Sequence, residues 1–506
     1  MGLPGSRKRV RQACLSHSAH FLLGLLLGGG VLASSALAQE LPEVPQPLVP
    51  VPAPIQEFAL TPALGVEEMF TDNVYVTQDD RKADLVSRLF GGGSLNVNTG
   101  PTFLQVNGTA SYDLYATASD LDGWNLDFNG NGHYDLVPDF LSLQAEGAVT
   151  QGYLSTYGTP AVTRNDGGNQ IRLINYDAGP RLATELGDMA DLVLNARYAQ
   201  VLFDDLNNTV SGLTNSSIYQ GTGRLDTGTR LDWLQLVTSG EYLQDDHDFS
   251  FYDGLETVYV RVLPLIRLIG RGGYESIRDP SISDLNNPIW TVGVEYTPMA
   301  NSLISVEWGR RFNRPIWNVN ARVQITDSLY GTARFLETVE PLNVRLNRSL
   351  TDIFAQSESA PPFVATQVFT INQDLVNLTS FNKQANGQLV YTWGTQTVSV
   401  SADWLEQDFL QASAPVQNRQ WSATGAYTRQ IAFDLSATLS GYYAHTFSSP
   451  VSGKNEVYQV GLSASYLANS TITLNGGYVY QGQHQLFTGG QQIDENVVYV
   501  TATKSF

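Results

Sequence analysis

Val497–Phe506 reads VVYVTATKSF. Counting back from the terminal aromatic, Phe506, Ala502, Val500 and Val498 fall on one face, and Ser505, Thr503 and Thr501 on the other. Side chains along a strand point alternately to opposite faces, so this is a two-faced strand that runs to the last residue of the chain. Lys504 stands where the pattern expects an apolar residue; its stem can lie on apolar surface and carry the ammonium to an interface. An ordinary edge strand of a soluble sheet is the alternative, and the rest of the chain has to decide between them.

The other end of the chain reads as an export signal. Arg7, Lys8, Arg9 and Arg11 form a basic n-region, Phe21 to Leu32 is apolar, and Ala36-Leu37-Ala38 is a small-x-small cleavage site, which sets residues 1–38 as a cleavable signal peptide. The apolar run is shorter than the roughly 20 residues that a spanning helix needs. The one cysteine, Cys14, falls inside this segment, so the expected mature chain has no disulfide, thiol nucleophile or cysteine metal site. The signal carries four basic residues and no acidic ones, leaving 25 basic against 49 acidic and a net charge of −24. Such a chain repels nucleic acid, and no nucleic-acid partner is expected. Residues 39–58 hold Pro42, Pro45, Pro47, Pro50, Pro52 and Pro54, a run that favours extended geometry and cannot join a sheet ladder; they read as a periplasmic linker.

From residue 59 to 506 the recurring signal is a segment of about ten or more residues alternating apolar with polar, closed by turn residues. Leu104, Val106, Gly108, Ala110, Tyr112 and Leu114 alternate with Gln105, Asn107, Thr109, Ser111 and Asp113. Late in the chain Ile472, Leu474, Gly476, Tyr478 and Tyr480 oppose Thr471, Thr473, Asn475 and Gln481. The connections alternate short and long. Gly100-Pro101, Gly394-Thr395, Ala432-Phe433 and Asn469-Ser470 are short; Ala116 to Gly123, Ser155 to Gly168, Gln411 to Gln417 and Ser448 to Lys454 are long. Short turns on one rim and longer loops on the other describe an up-and-down barrel in a membrane, whereas a Greek-key sandwich mixes its crossings. The expected fold is therefore all-β, a transmembrane antiparallel barrel of 22 strands within a range of 16–24, with the strands flanking Pro264 and Pro315 the least defined. Closure is also the only way a sheet leaves no unpaired edge in lipid. The aromatic content, Tyr 24, Phe 21 and Trp 8, suits interfacial girdles.

If the apolar faces meet lipid, Arg197, Arg224, Arg230, Arg261, Arg267, Arg271, Arg311, Arg322 and Arg334 point into the lumen, together with Glu241, Glu275, Glu295 and Glu307. A charge on the lipid face at mid-membrane costs about 2–4 kcal/mol for Arg or Lys. These residues read either as a cross-strand ion-pair lattice that stiffens the wall or as a constriction that guides an anionic solute or polysaccharide. The longest connection, Glu340 to Asn382, either plugs the lumen or reaches outward, with Val364 to Phe369 as an extra strand segment. Inward folding is favoured.

Two motifs suggest chemistry. Asp127-Phe-Asn129-Gly-Asn131-Gly132 begins like a calcium loop, but its twelfth position is Pro138 and the same residues alternate without error as a strand, which is the preferred reading. Asp245-Asp246-His247-Asp248 places a histidine among carboxylates at an outer strand end; it reads as a solvated loop, with a barrel-borne hydrolase as the lesser alternative. Walker, HExxH, GxSxG and GxGxxG signals in their required context are missing from the sequence. No catalytic, cofactor-binding or metal-ligating residue is assigned, and the chain is not expected to be an enzyme.

The terminal strand ending in Phe506 resembles those of Gram-negative outer-membrane proteins, whose assembly machinery reads such a strand. That resemblance implies an outer-membrane location, with lipopolysaccharide, membrane lipids and the barrel assembly machinery as partners. At Val66-Glu-Glu-Met-Phe-Thr71-Asp72-Asn73-Val74, and again from Thr332 to Trp404, the chain resembles the PEP-CTERM system-associated outer-membrane β-barrel family, related to the β-barrel porin 2 family. The resemblance implies a barrel tied to exopolysaccharide production or export. Three functions follow from the whole reading: a channel or export barrel, a structural or polymer-binding barrel without transport, and a hydrolase using His247.

Overall fold

The computed structural model describes residues 58–153, 170–204, 213–228, 230–231, 233–299, 301–348, 378–410, 417–449, 453–486 and 490–506. The segments read as signal peptide and linker lie outside the described residues, apart from Phe58, and so does Val364 to Phe369. The described residues form 22 strands, from β1 (Phe58–Thr71) to β22 (Gln492–Ser505), in one antiparallel sheet. Each strand pairs with its neighbours in sequence, and β1 pairs with β22 from Ala63↔Ser505 to Thr71↔Val497. The sheet is therefore closed. Among the described residues no helix is long and apolar enough to cross a membrane.

The two faces expected of the last strand are those observed. Val498 and Val500 are 50% and 59% exposed, whereas Thr501 and Thr503 are 8% and 6% exposed. The same parity runs around the barrel: Leu85 and Leu89, Leu194 and Tyr198, Val292 and Val294, and Leu439 lie exposed on the outer wall. Lys504 shares the outer face, and its ammonium lies 4.7 Å from the centre of the Phe506 ring. Aromatic side chains gather towards both ends of the wall. Trp290 and Trp308 meet edge to face at 5.5 Å on one side, and Tyr391 and Trp393 stack at 4.8 Å on the other.

The seam between first and last strands is tied above its ladder. Thr71 donates to Glu495 Oε1 at 2.9 Å, and Asp72 accepts from the Asn496 backbone N–H at 2.8 Å and from Asn496 Nδ2 at 2.7 Å. Asn73 Nδ2 donates to the carbonyls of Thr77 and Asp494, and Asn73 Oδ1 accepts from Thr77 N–H. The Thr-Asp-Asn sequence is thus a clamp on the seam.

The rhythm of the connections has several exceptions. β19 (Leu435–Ser449) and β20 (Gly453–Asn469) continue through residues expected in a long loop, so that connection is short. More consequential, β13 (Leu303–Arg311) turns into β14 (Arg314–Thr326) at the long-loop rim through Phe312 and Asn313 alone, both at positive φ. The ladder from β14 to β15 (Leu329–Glu340) runs only from Thr326↔Leu329 up to Val319↔Phe335. Above that point the two strands lie side by side unpaired. Pro315 contributes, since it has no N–H to donate.

Candidate functional site

The lumen face carries most of the arginines that the sequence placed there, and pairing decides what each does. On β11 (Ile266–Arg278), β12 (Leu285–Tyr296) and β13, Arg267 bonds Glu295 through Nε at 2.6 Å, Arg271 reaches Glu307 at 3.4 Å, and Arg311 bonds Glu275 at 2.7 Å. Thr291, between the last two strands, donates to Glu307 at 2.6 Å. Glu275, Glu295 and Glu307 are buried in this wall. Arg197 lies 3.3 Å from Asp177 and 3.7 Å from Glu146, and Arg224 lies 2.7 Å from Asp226. The Arg224 pair lies within one strand; those of Arg197 with Glu146, Arg271 with Glu307 and Arg311 with Glu275 join strands that the backbone ladder does not pair directly. Their arrangement is a cross-strand lattice, which is compatible with a constriction.

Arg230 departs from the expectation. It lies between β8 (Ser216–Asp226) and β9 (Leu234–Asp245), at the short-turn rim, where its Nη2 bonds Asp191 at 2.6 Å. The surrounding carboxylate pulls its pKa above the ordinary guanidinium value, chiefly through that hydrogen bond. Arg261, Arg322 and Arg334 keep the inward parity. Among the described residues no carboxylate lies within ion-pair distance of Arg261 or Arg322; both are exposed on the lumen face, Arg322 5.7 Å from the Tyr330 ring centre.

A second lattice was missed. Arg88 on β2 (Asp84–Thr99) bonds Asp113 through Nε at 2.6 Å and Nη2 at 2.9 Å, and Glu67 through Nη1 at 2.9 Å. Asn125 donates to Asp113 at 3.0 Å, Gln151 donates to Asn125 at 2.7 Å, and Thr501 donates to Glu67 at 2.7 Å. The chain of bonds crosses β22 and β1 to β5 (Leu141–Tyr153). Arg88 shares its parity with buried Val86 and alternates with exposed Leu85 and Leu89, so the signal existed. Gly91, Gly92 and Gly93 hid it, since glycine does not report a face.

The first residues of the connection after β15 fold inward; residues 349–377 lie outside the described residues. Residues 342–348 are helical, with Pro341 before the first turn accepting from Arg345 N–H at 3.1 Å. Seven residues do not hold a helix in water, so packing must. Leu342, Val344 and Leu346 are fully buried in one apolar cluster with Leu173, Val201, Ile218, Leu243, Phe251 and Ile277, which come from six successive strands, β6 (Gln170–Leu186) to β11, with Phe251 on β10 (Ser250–Leu263). Burying three such side chains stabilises the docked helix by roughly 5–9 kcal/mol. Arg348 fixes the position: its guanidinium bonds Glu340 at 2.9 Å and, six strands away, Glu241 on β9 at 2.8 Å. Burial opposes its charge, but Glu241 and Glu340 hold its pKa above the ordinary guanidinium value. Arg345 is buried without a carboxylate in contact among the described residues. It donates to Asn382 Oδ1 at 3.1 Å and Ser380 Oγ at 3.4 Å, and Gln407 with its carbonyl turned inward accepts at 2.7 Å. Burial pushes the Arg345 pKa down to about 10, which leaves it charged at neutral pH.

The motifs considered for chemistry resolve as wall and turn. Asp127 to Asp135 lie within β4 (Gly123–Val137). Asp245 Oδ1 accepts from the backbone N–H groups of His247 and Phe249, closing the turn after β9. His247 Nδ1 lies 2.9 Å from Asp246 Oδ1, and Ser216 Oγ donates to the same oxygen at 3.1 Å. The carboxylate thus stands between serine and histidine, and among the described residues the imidazole has no hydroxyl to activate. Among the described residues no group of three or more His, Cys, Asp or Glu is placed to hold a metal.

No family model matches the chain, and no curated protein does. Solved structures with a similar arrangement include a mutant of the ferric enterobactin receptor PfeA of Pseudomonas aeruginosa (TM-score 0.49, 11% identity, 88% of this chain and 80% of that one). The siderophore receptor PirA of Pseudomonas aeruginosa gives a TM-score of 0.45 at 12% identity over the same shares. The siderophore receptor PiuA of Acinetobacter baumannii gives 0.48 at 10% identity over 88% and 82%.

Proposed function

We propose that this chain is an outer-membrane channel that passes a hydrophilic solute and serves exopolysaccharide export. The observation that carries the channel is the lumen itself. A closed wall of 22 strands encloses more room than its own side chains fill, its inner face is polar, and a helix pinned by Arg348 occupies part of one end. The sequence resemblance at Val66 to Val74 and Thr332 to Trp404 supports the link to exopolysaccharide. Conductance across planar bilayers tests the channel, comparing the mature chain with one in which residues 341–378 are replaced by a short Gly-Ser linker. Small steps that become larger on replacement are expected; silence from both forms overturns the proposal. The polymer link is tested by deleting the gene and measuring cell-surface polysaccharide, which is expected to fall.

The charge lattices favour a second reading, a structural or polymer-binding barrel, because paired charges stiffen a wall without serving passage. Loss of surface polymer binding with no change in permeability would select it. A hydrolase would need a nucleophile that His247 does not contact; His247→Ala is expected to leave envelope lipid and peptide turnover unchanged.

A further inference from the structure

The wall loses its ladder where the upper part of β14 passes β15, and the loss has a chemical cause on both sides. The N–H of Trp317 is directed at β15, and the partner it would take there in a regular ladder is the carbonyl of Glu337, since the pairing continues from Val319↔Phe335. Neither group finds the other. Trp317 N–H donates instead to the Glu337 carboxylate at 3.3 Å, and the Glu337 carbonyl accepts from Arg311 Nη1 at 2.9 Å. A glutamate side chain and an arginine fork therefore stand where one backbone hydrogen bond should be. Two residues further up, at Pro315, the next donor towards β15 does not exist.

Among the described residues the slit is covered by side chains and not by strand. Arg314 lies over the Phe381 ring at 4.9 Å and reaches to 4.0 Å from Asp408. Asn313 donates to Asn287 at 2.6 Å, and Thr379 donates to Asp279, joining the ends of β11 and β16 (Ser380–Trp393). Beneath these polar ties the interior is apolar. Val339 carries the outward parity of β15, yet it is buried in one cluster with Phe312, Phe381 and the lumen residues Leu342, Val344, Phe251 and Ile277. The apolar cluster thus continues from the lumen into the slit. Outside, Trp308 and Trp317 lie exposed on the wall just below it, where aromatic rings mark a membrane interface.

We infer that this slit is a lateral port through which the acyl chain of a membrane amphiphile passes between the bilayer and the apolar space around the 342–348 helix. The features fit that occupant. The slit opens at the level where acyl chains meet headgroups, it is apolar within, and the residues at its lip are a guanidinium, carboxylates and amides suited to a polar head. Opening it breaks two side-chain-to-backbone bonds in place of a ladder. The port is independent of the proposal that the lumen conducts a hydrophilic solute.

The test uses the mature chain reconstituted in vesicles containing a phospholipid with a diazirine on its acyl chain. After illumination, mass spectrometry is expected to find lipid on peptides carrying Phe251 and residues 342–348, as well as on the outer-wall peptide carrying Trp308. Pro315→Val with Glu337→Val restores one backbone donor and frees the Trp317 N–H from the Glu337 carboxylate. In that variant lumen-side labelling is expected to fall at least tenfold while the Trp308 peptide keeps its label. If the variant does not reach the heat-modifiable folded form, Ile316→Cys with Thr338→Cys, oxidised to a cross-strand disulfide, closes the same place and is expected to give the same result, reversed by reduction. Unlabelled lumen-side peptides in the unaltered protein, or labelling that survives closure, overturns the port.

Discussion

A lumen arginine means something different according to its neighbours. Arg88 holds two carboxylates, of which Asp113 is fully buried, so Arg88→Met leaves both without their cation. Breaking a buried pair in this way costs about 3–5 kcal/mol. Urea unfolding in detergent micelles is expected to show that loss, while Arg322→Met, which removes no ion pair, is expected to change stability by less than about 0.5 kcal/mol. Function should reverse the order. Arg261 and Arg322 stand exposed in the lumen without carboxylate partners among the described residues, so Arg261→Glu with Arg322→Glu is expected to move the reversal potential under a salt gradient towards cation preference. Arg271→Gln is expected to leave selectivity unchanged, because Glu307 already neutralises Arg271. Sequence alternation placed eight of the nine arginines on the inner face of strands. It did not place Arg230, which sits in a turn where alternation no longer operates, and it had no means of separating paired from unpaired charges, because partners such as Glu275 and Arg311 lie 36 residues apart.

Among the elements, the 342–348 helix and the terminal strand make the sharpest demands. Arg348→Ala removes both ion pairs of the helix, and leaves buried Glu340 without an ion-pair partner among the described residues. Faster proteolysis within 341–348 and a higher single-channel conductance are expected; an unchanged cleavage rate would show that the apolar contacts suffice. Phe506 donates its backbone N–H to the Pro62 carbonyl at 2.9 Å while its ring stays 60% exposed under the Lys504 ammonium. A ring left exposed on a completed barrel contributes little to its stability, so Phe506→Ala is expected to lower the assembled fraction in cells, read as heat-modifiable migration, without lowering the urea midpoint of barrels that do assemble. The terminal strand was legible because Val498, Val500, Ala502 and Phe506 alternate with Thr501, Thr503 and Ser505 despite the departure at Lys504. The helix was not, because a seven-residue element held by distant strands has no periodicity long enough to register. The two-residue hairpin tip at Phe312-Asn313 was obscured by Pro315, which ordinarily signals a loop and here marks the broken edge of a strand.

For the molecule as a whole, strand number and closure were readable because both follow from local patterns repeated 22 times, each too weak alone. What fills and seals the barrel was not, since it depends on which distant side chains meet. The seam carries a further consequence. Thr501 and Glu67, bonded across it, are 434 residues apart, whereas Thr150 and Leu173 on adjoining strands need only a hairpin's worth of chain. Loop-closure entropy grows only with the logarithm of length, so joining the ends costs just about 2–3 kcal/mol more than closing a hairpin. The obstacle is one of timing. Until the last strand is in place the first has no mate on its far side, and every partly closed sheet carries a raw edge open to joining a stranger.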